Sequence, residues 1–260
     1  MPKFSGNLWY LFPELDLMDR FEAAAGAGFK GVEFHFPYQW PAAELAQKLS
    51  QHELVQVQIN APPGDWDAGE RGLAALPGRE GEFRKSVATA IAYAKALNCN
   101  RVHFMAGVFS DEVGREQAKG TFLENLNFAA TACAEEGICA LIEPLNPIDV
   151  PGYMIGDTLA ARAVIDSVGH ANLFLQYDLY HAVMNGEDIQ AAIQGNLDVI
   201  GHMQVAGVPG RNEPDGGDLD YPALFMAIDD SGYDGWVGCE YTPRGGTLEG
   251  LGWASPWGIG

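Results

Sequence analysis

At 260 residues, 47% hydrophobic and 11% aromatic, the chain carries enough apolar side chain for a full core, which excludes intrinsic disorder. Thirty-five acidic residues against 15 basic ones leave a formal charge of −20. Such a surface repels DNA and anionic membranes rather than neutralising phosphate. The four cysteines, Cys99, Cys133, Cys139 and Cys239, form no C-x-x-C pair, and neither a signal peptide nor a membrane-spanning stretch is visible. A cytoplasmic protein with reduced thiols is expected.

Residues 4–9 read as a first strand. Over residues 14–27, Leu17, Met18, Phe21, Ala24 and Ala25 recur on one helical face, and Gly26 and Gly28 supply the stop. A second strand (31–35) is followed by a helix (42–51), and a third strand (54–60) by a long loop and a helix (83–97). The fourth strand (101–105) precedes a helix (115–135) with Phe122, Leu126, Ala129 and Cys133 on one stripe. A strand at 138–143, a helix at 157–168 and a strand at 173–178 come next. A shorter helical stretch leads to the seventh strand (199–205), and the helix 221–230 to the eighth (235–240). Eight βα units with no linker or low-complexity tract predict an α/β chain folded as one (β/α)8 TIM barrel, a single domain over residues 1–260. The alternative, a doubly wound sheet, lacks its signature: no G-x-G-x-x-G follows the first strand and no G-x-x-x-x-G-K-[ST] occurs.

Chemistry in such a barrel sits where strands end. The predicted exits are Trp9, His35, Asn60, Phe104, Glu143, Asp178, Gln204 and Glu240. The last four are three carboxylates and an amide from four successive strands. Three acids at one mouth repel each other unless a divalent cation neutralises them, and oxygen donors suit Mg²⁺ or Mn²⁺. A single carboxylate at such a place is equally explained as a helix N-cap; three carboxylates and an amide on four successive strands are not. His181, three residues after Asp178, is placed to bind substrate or orient the acid. His202, two before Gln204, is expected inside the barrel as a hydrogen-bonded core histidine. Cys239, adjacent to Glu240, is expected on the opposite face as an inert thiol.

Two loops add cations. Residues 61–79 (APPGDWDAGERGLAALPGR) hold Glu70 and Arg71 and are long enough to fold over the mouth; Arg71 is the natural partner for a substrate carboxylate. Residues 206–220 (AGVPGRNEPDGGDLD) carry Arg211, a second anion contact.

The stretches FSGNLWYLFPE, GVEFHFPY, PPGDWDAGERGLAALPGRE, LIEPLNP, LQYDLYH, IGHMQVAG and GWVGCEY resemble the hydroxypyruvate isomerase family of xylose-isomerase-like barrels, with the 2-oxo-tetronate isomerases as close relatives. The resemblance spans essentially the whole chain, and GDW-x-x-GERG is its most specific piece. It implies that Glu143 and Glu240 are the catalytic proton donor and acceptor. It further implies that Glu143, Asp178, Gln204 and Glu240 form the metal set, with Mg²⁺ or Mn²⁺ as cofactor. His181, Arg211, Arg71 and Glu70 are then the substrate-binding candidates. In the related ketose epimerases the position of Gln204 is typically His. The implied reaction interconverts a small 2-oxo-3-hydroxy acid and its hydroxy-aldehyde or 3-oxo isomer through an enediolate, hydroxypyruvate first and 2-oxo-tetronate second.

The competing readings are a ketose 3-epimerase, an AP-endonuclease-type phosphodiesterase and a non-catalytic binding barrel. The endonuclease is disfavoured by six histidines in all and by the acidic surface. The expected partner is a small carboxylated molecule, with no nucleic acid and no membrane. Homo-oligomerisation stays open, and Trp253 and Trp257 are expected to pack within the chain.

Overall fold

The computed structural model of the chain describes residues 2–109, 113–217 and 219–260. Its strands are β1 (Lys3–Asn7), β2 (Gly31–Phe34), β3 (Val55–Asn60), β4 (Arg101–His103), β5 (Cys139–Ile142), β6 (Leu173–Asp178), β7 (Ile200–Val205) and β8 (Trp236–Cys239). They follow one another in chain order around a closed parallel barrel, and β8 pairs back onto β1 from Lys3–Trp236 to Gly6–Cys239. Helices α1 (Leu17–Gly26), α2 (Ala42–Gln51), α3 (Glu80–Ala96), α4 (Arg115–Ala134) and α5 (Thr158–Val168) lie in the crossovers. After β6 come α6 (Leu179–Met184) and α7 (Ile189–Asn196), and α8 (Tyr221–Asp230) and α9 (Thr247–Gly250) complete the set.

Alternation along each strand sends one set of side chains outward to the helices and the other into the barrel. Outward, Val32, Phe34, Ile59, Val102, Ile142, Leu175, Tyr177, Met203, Val205 and Val237 are buried, with Cys239 among them. They meet apolar helix stripes such as Leu17, Phe21 and Ala24 of α1 and Phe122, Leu126, Ala129 and Cys133 of α4. Inward, the alternation is polar: Ser5 and Asn7, then Glu33, then Gln56, Gln58 and Asn60, then His103, Gln176, His202 and Gln204, all buried. Barrel interiors are usually layered with Val, Ile and Leu. This one is a hydrogen-bonded network, because each buried polar atom left without a partner costs about 1–3 kcal/mol.

Several predicted boundaries move by one to three residues, and two differences bear on the site. The first strand ends at Asn7 instead of Trp9, because Asn7 turns the chain: its carbonyl accepts from Tyr10 and Leu11 N–H, and its Oδ1 from Trp9 N–H. A short helix, α6, also starts directly at the β6 exit. Asp178 caps it by accepting from Tyr180 N–H at 2.9 Å, so this carboxylate is both a helix cap and a member of the mouth cluster. Trp253 and Trp257 pack within the chain, edge-on to Phe4 at 5.2 and 5.3 Å. Among the described residues no helix is long and apolar enough to cross a membrane.

Candidate active site

A cavity of about 250 Å³ opens at the C-terminal ends of the strands, lined by Glu143, Glu240, His181, Arg71 and Arg211 among others. Glu143 follows β5 directly and Glu240 follows β8, so the two glutamates enter from strands three places apart around the barrel. Both are nearly inaccessible, at 6% and 4% exposure. Their environments push them apart. Burial and the nearby carboxylates of Glu240 and Asp178 raise the Glu143 carboxyl well above the usual range. Burial acts the same way on Glu240, but His35 and Arg211 outweigh it and hold that carboxyl low.

Arg211 is the charge that makes the cluster tolerable. Its Nη2 donates to Glu240 Oε1 at 2.6 Å and to Asp178 Oδ2 at 3.2 Å, bridging two acids from different strands. The guanidinium lies against the faces of Tyr180 and Tyr10, 4.8 and 5.5 Å from the ring centroids. Its buried Nε–H has no acceptor among the described residues. The turn that delivers it holds Arg211 itself at φ +52°; of this loop, Asp218 lies outside the described residues.

His181 stands in the first turn of α6, with Nε2 3.7 Å from Asp178 Oδ2. Its Nδ1 accepts from the Asn146 backbone N–H at 3.2 Å and from Asn146 Nδ2 at 2.7 Å. Asn146 has only that orientation, because its Oδ1 accepts from the N–H groups of Ile148 and Asp149. A ring whose Nδ1 accepts twice carries its proton on Nε2. Burial, then Arg211, lowers its affinity for a second proton, its pKa falling to about 3. His181 is therefore a neutral Nε2–H donor facing the cavity.

Of the four sequence-predicted metal ligands, the structure brings together Glu143 and Asp178. With His181 they present ligand atoms all within 4.8 Å of one another. The two carboxylates fit a hard divalent cation; His181 fits it less well, since its available nitrogen is the protonated one. Gln204, the register partner of Asp178 across β6 and β7, turns its amide nitrogen toward Glu33 at 2.8 Å and toward Glu240. Its Oε1, the atom that would ligate a metal, accepts instead from Gln176 Nε2 at 2.8 Å. Glu240 is occupied by Arg211, Gln204, Asn7 and His35.

Arg71 and Glu70 are adjacent in sequence and separate in role. The Arg71 guanidinium stacks over Trp66, 3.8 Å from the ring centroid, and its Nη1 donates to the carbonyls of Trp66 and Glu70 at 3.2 and 2.8 Å. Glu70 is not in the cavity wall. Its carboxylate takes the Asp65 N–H at 2.6 Å and an ion pair with Arg79, closing the loop on itself. Two glycines permit this closure. A Cβ on Gly64 (φ +92°) would meet Glu70 Oε2, and one on Gly72 (φ +119°) would meet the Met105 carbonyl.

Several residues at the site were given no role from the sequence. Asn7 donates to Glu240 at 3.4 Å, His103 stands 3.4 Å from Glu143, and His35 is 3.5 Å from Glu240 and stacked on Trp9. Gln176 donates to Glu143 at 3.0 Å, and Glu33 collects donors beneath them all. The available signal was polar residues at alternate positions inside strands that a barrel buries on both faces.

The sequence pattern of the xylose isomerase-like TIM barrel family matches residues 21–257. A 2-oxo-tetronate isomerase of Cupriavidus necator is 49% identical over 257 residues, covering 99% of either chain. The hydroxypyruvate isomerase of Escherichia coli is 46% identical over 258 residues, covering 99% of this chain and all of its own. A Brucella melitensis protein solved as an AP endonuclease of family 2 superposes with a TM-score of 0.97 at 47% identity, over 99% of each chain. With the 3-keto-D-glucoside 4-epimerase of E. coli, 19% identical over 98% of this chain and all of the other, the fold is shared at a TM-score of 0.81. Barrel, strand-end acids and full-length similarity agree: the chain belongs to the xylose isomerase-like TIM barrel family.

Proposed function

We propose that this protein is an isomerase of small 2-oxo-3-hydroxy acids. The reaction is hydroxypyruvate to 2-hydroxy-3-oxopropanoate, with 2-oxo-tetronate as the four-carbon alternative that the 49% identity to the C. necator enzyme favours. The observation that carries this reading is one small cavity holding two glutamates from separate walls together with two guanidinium groups. At about 250 Å³ it falls just below the ~300 Å³ at which pockets for drug-sized ligands begin, so it suits a molecule of three or four carbons.

The chemistry moves one proton between adjacent carbons. A glutamate carboxylate takes the proton from C3, and the electron pair shifts to the C2 carbonyl oxygen to give an enediolate. Reprotonation at C2, with the proton on the C3 oxygen passing to the C2 oxygen, yields the aldehyde and restores the carboxylate. Glu143 and Glu240 supply the proton exchange. The buried Arg211 Nε–H and the His181 Nε2–H are donors for the enediolate oxygens, pre-oriented by Asp178, Glu240 and Asn146. Arg71 receives the carboxylate, since its Nε and Nη2 hydrogens are not used by the two bonds that anchor Nη1.

A divalent cation, Mg²⁺ or Mn²⁺, would be held by Glu143 and Asp178, and when bound it would polarise the substrate carbonyl. Mn²⁺ binding followed by electron paramagnetic resonance, lost in Glu143→Gln, tests this. A cytoplasmic location and a small-molecule partner accord with the chain's features. A phosphodiesterase acting on DNA is disfavoured by the net charge of −20. The functional test is a comparison of kcat/KM for hydroxypyruvate, 2-oxo-tetronate and a neutral ketohexose. Turnover of the acids and not the sugar is expected; the reverse pattern would make the protein a ketose epimerase.

A further inference from the structure

Glu33 is fully buried in β2 and lies outside the cavity wall. It accepts from Ser5 Oγ at 2.9 Å, Asn7 Nδ2 at 3.2 Å, His202 Nε2 at 2.9 Å and Gln204 Nε2 at 2.8 Å. Two of these donors are shared with Glu240. The Asn7 and Gln204 amide nitrogens each reach Glu33 Oε1 on one side and Glu240 Oε2 on the other. An amide nitrogen only donates, so a carboxylate on each side leaves each amide one orientation.

The consequence runs further. With its nitrogen committed, Gln204 turns Oε1 to Gln176, which donates to it at 2.8 Å and to Glu143 Oε2 at 3.0 Å. Gln176 Oε1 is then left buried with no partner among the described residues. Gln56 and Gln58 in β3 carry the same unpartnered Oε1 among the described residues; at Gln176 it follows from the direction of the chain imposed from Glu33. Gly238 on β8 makes room for the arrangement, since a Cβ there would lie 2.3 Å from Glu33 Oε1 and 2.5 Å from Oε2.

We infer that Glu33 is a positioning residue for the isomerisation. Its buried carboxylate sets the direction of the Gln204–Gln176 amide chain and, together with the Trp9 N–H, that of Asn7, so that both Glu143 and Glu240 are met by N–H groups and held in place. The inference rests on the isomerase reading of those two glutamates.

Two variants test it: Glu33→Gln removes the acceptor that orders the amides, and Gly238→Ala displaces the carboxylate without changing its charge. A fall in kcat of about 10–100-fold is expected for each, a sizeable part of what an acid–base pair contributes. KM should change little, since Arg71 and Arg211 do not touch Glu33. Phe225→Leu, a core substitution in the helix layer, serves as the control, lowering Tm while leaving the kcat of the folded fraction unchanged. Crystal structures of both variants are the second readout, and either a Gln204 or Gln176 amide turned over or a displaced Glu240 carboxylate is expected. Wild-type kcat in the folded variants, or all three side chains unmoved, would overturn the inference. If the wild type converts neither acid, the substrate reading fails, and the crystal structures still decide the positioning role.

Discussion

Substituting Arg71 by Met keeps a side chain of similar length over Trp66 and removes the guanidinium. In the structure the cation is held by stacking at 3.8 Å and by two backbone carbonyls on Nη1. The remaining Nε and Nη2 hydrogens form the fork proposed for the substrate carboxylate. Hydrogen bonds to a charged group contribute about 1.5–3 kcal/mol, so kcat/KM for a carboxylated substrate should fall roughly 10–150-fold, at about 1.4 kcal/mol per tenfold. The loss should appear mainly in KM, because Arg71 does not touch Glu143 or Glu240. Stability should change far less. A cation–π contact at an accessible site contributes about 0.5–1 kcal/mol, which at about 2–4 °C per kcal/mol lowers Tm by about 1–4 °C. Steady-state kinetics on hydroxypyruvate and differential scanning calorimetry measure both quantities. An unchanged KM for the acid would refute the role of Arg71, and a tenfold loss in kcat alone would place it in the chemistry instead of in recognition.

Glu143→Gln and Glu240→Gln should each lower kcat by about 10²–10⁴-fold; Glu143→Gln should leave the thermal transition nearly in place, whereas Glu240→Gln, which takes an ion-pair partner from Arg211, should lower Tm, and near-wild-type turnover of either would exclude the two-glutamate mechanism. Arg211→Met strips the counter-charge from Asp178 and Glu240, and breaking a buried pair costs about 3–5 kcal/mol. A Tm fall of roughly 6–20 °C should follow, read by calorimetry, and a shift under 2 °C would contradict the bridging role. The Glu70 carboxyl is held below its usual range chiefly by its hydrogen bond to Arg79. A depressed carboxyl contributes above its unfolded value of about 4.3, and the contribution is lost as pH falls through the folded value. The Asp65 amide, which donates to Glu70, should keep its hydrogen-exchange protection from pH 7 to 5 and lose it at lower pH. Protection unchanged down to pH 3 would show that the loop is closed by other contacts.

The barrel was legible because apolar periodicity switches between 2 and 3.6 eight times, and the strand-end rule then led to Glu143, Asp178 and Glu240. Cys239 and His202 were legible by parity with their neighbours: one faces the helices, the other donates to Glu33 inside the barrel. What the sequence does not encode locally is which atom of a side chain faces which neighbour. Gln204 arrives at the mouth of its strand as read, yet its amide nitrogen is drawn down and across to two carboxylates, and its oxygen away from the acid cluster. Likewise the tautomer of His181 depends on Asn146, 35 residues away. Arg211 reaches Asp178 and Glu240 through a turn whose left-handed residue is the arginine itself, a conformation no sequence signal marks. Glu70 and Arg71 look alike as loop charges; a pair of glycines and Arg79 decide that one closes the loop while the other lines the cavity.

The central claim, proton transfer between adjacent carbons of a small hydroxy-oxo acid, is met most directly by proton NMR of the enzyme in D₂O with hydroxypyruvate and, separately, with 2-oxo-tetronate. The account predicts appearance of the aldehyde or 3-oxo product with deuterium at the carbon that receives the proton. No conversion of either acid, with or without added Mg²⁺ or Mn²⁺, would contradict it.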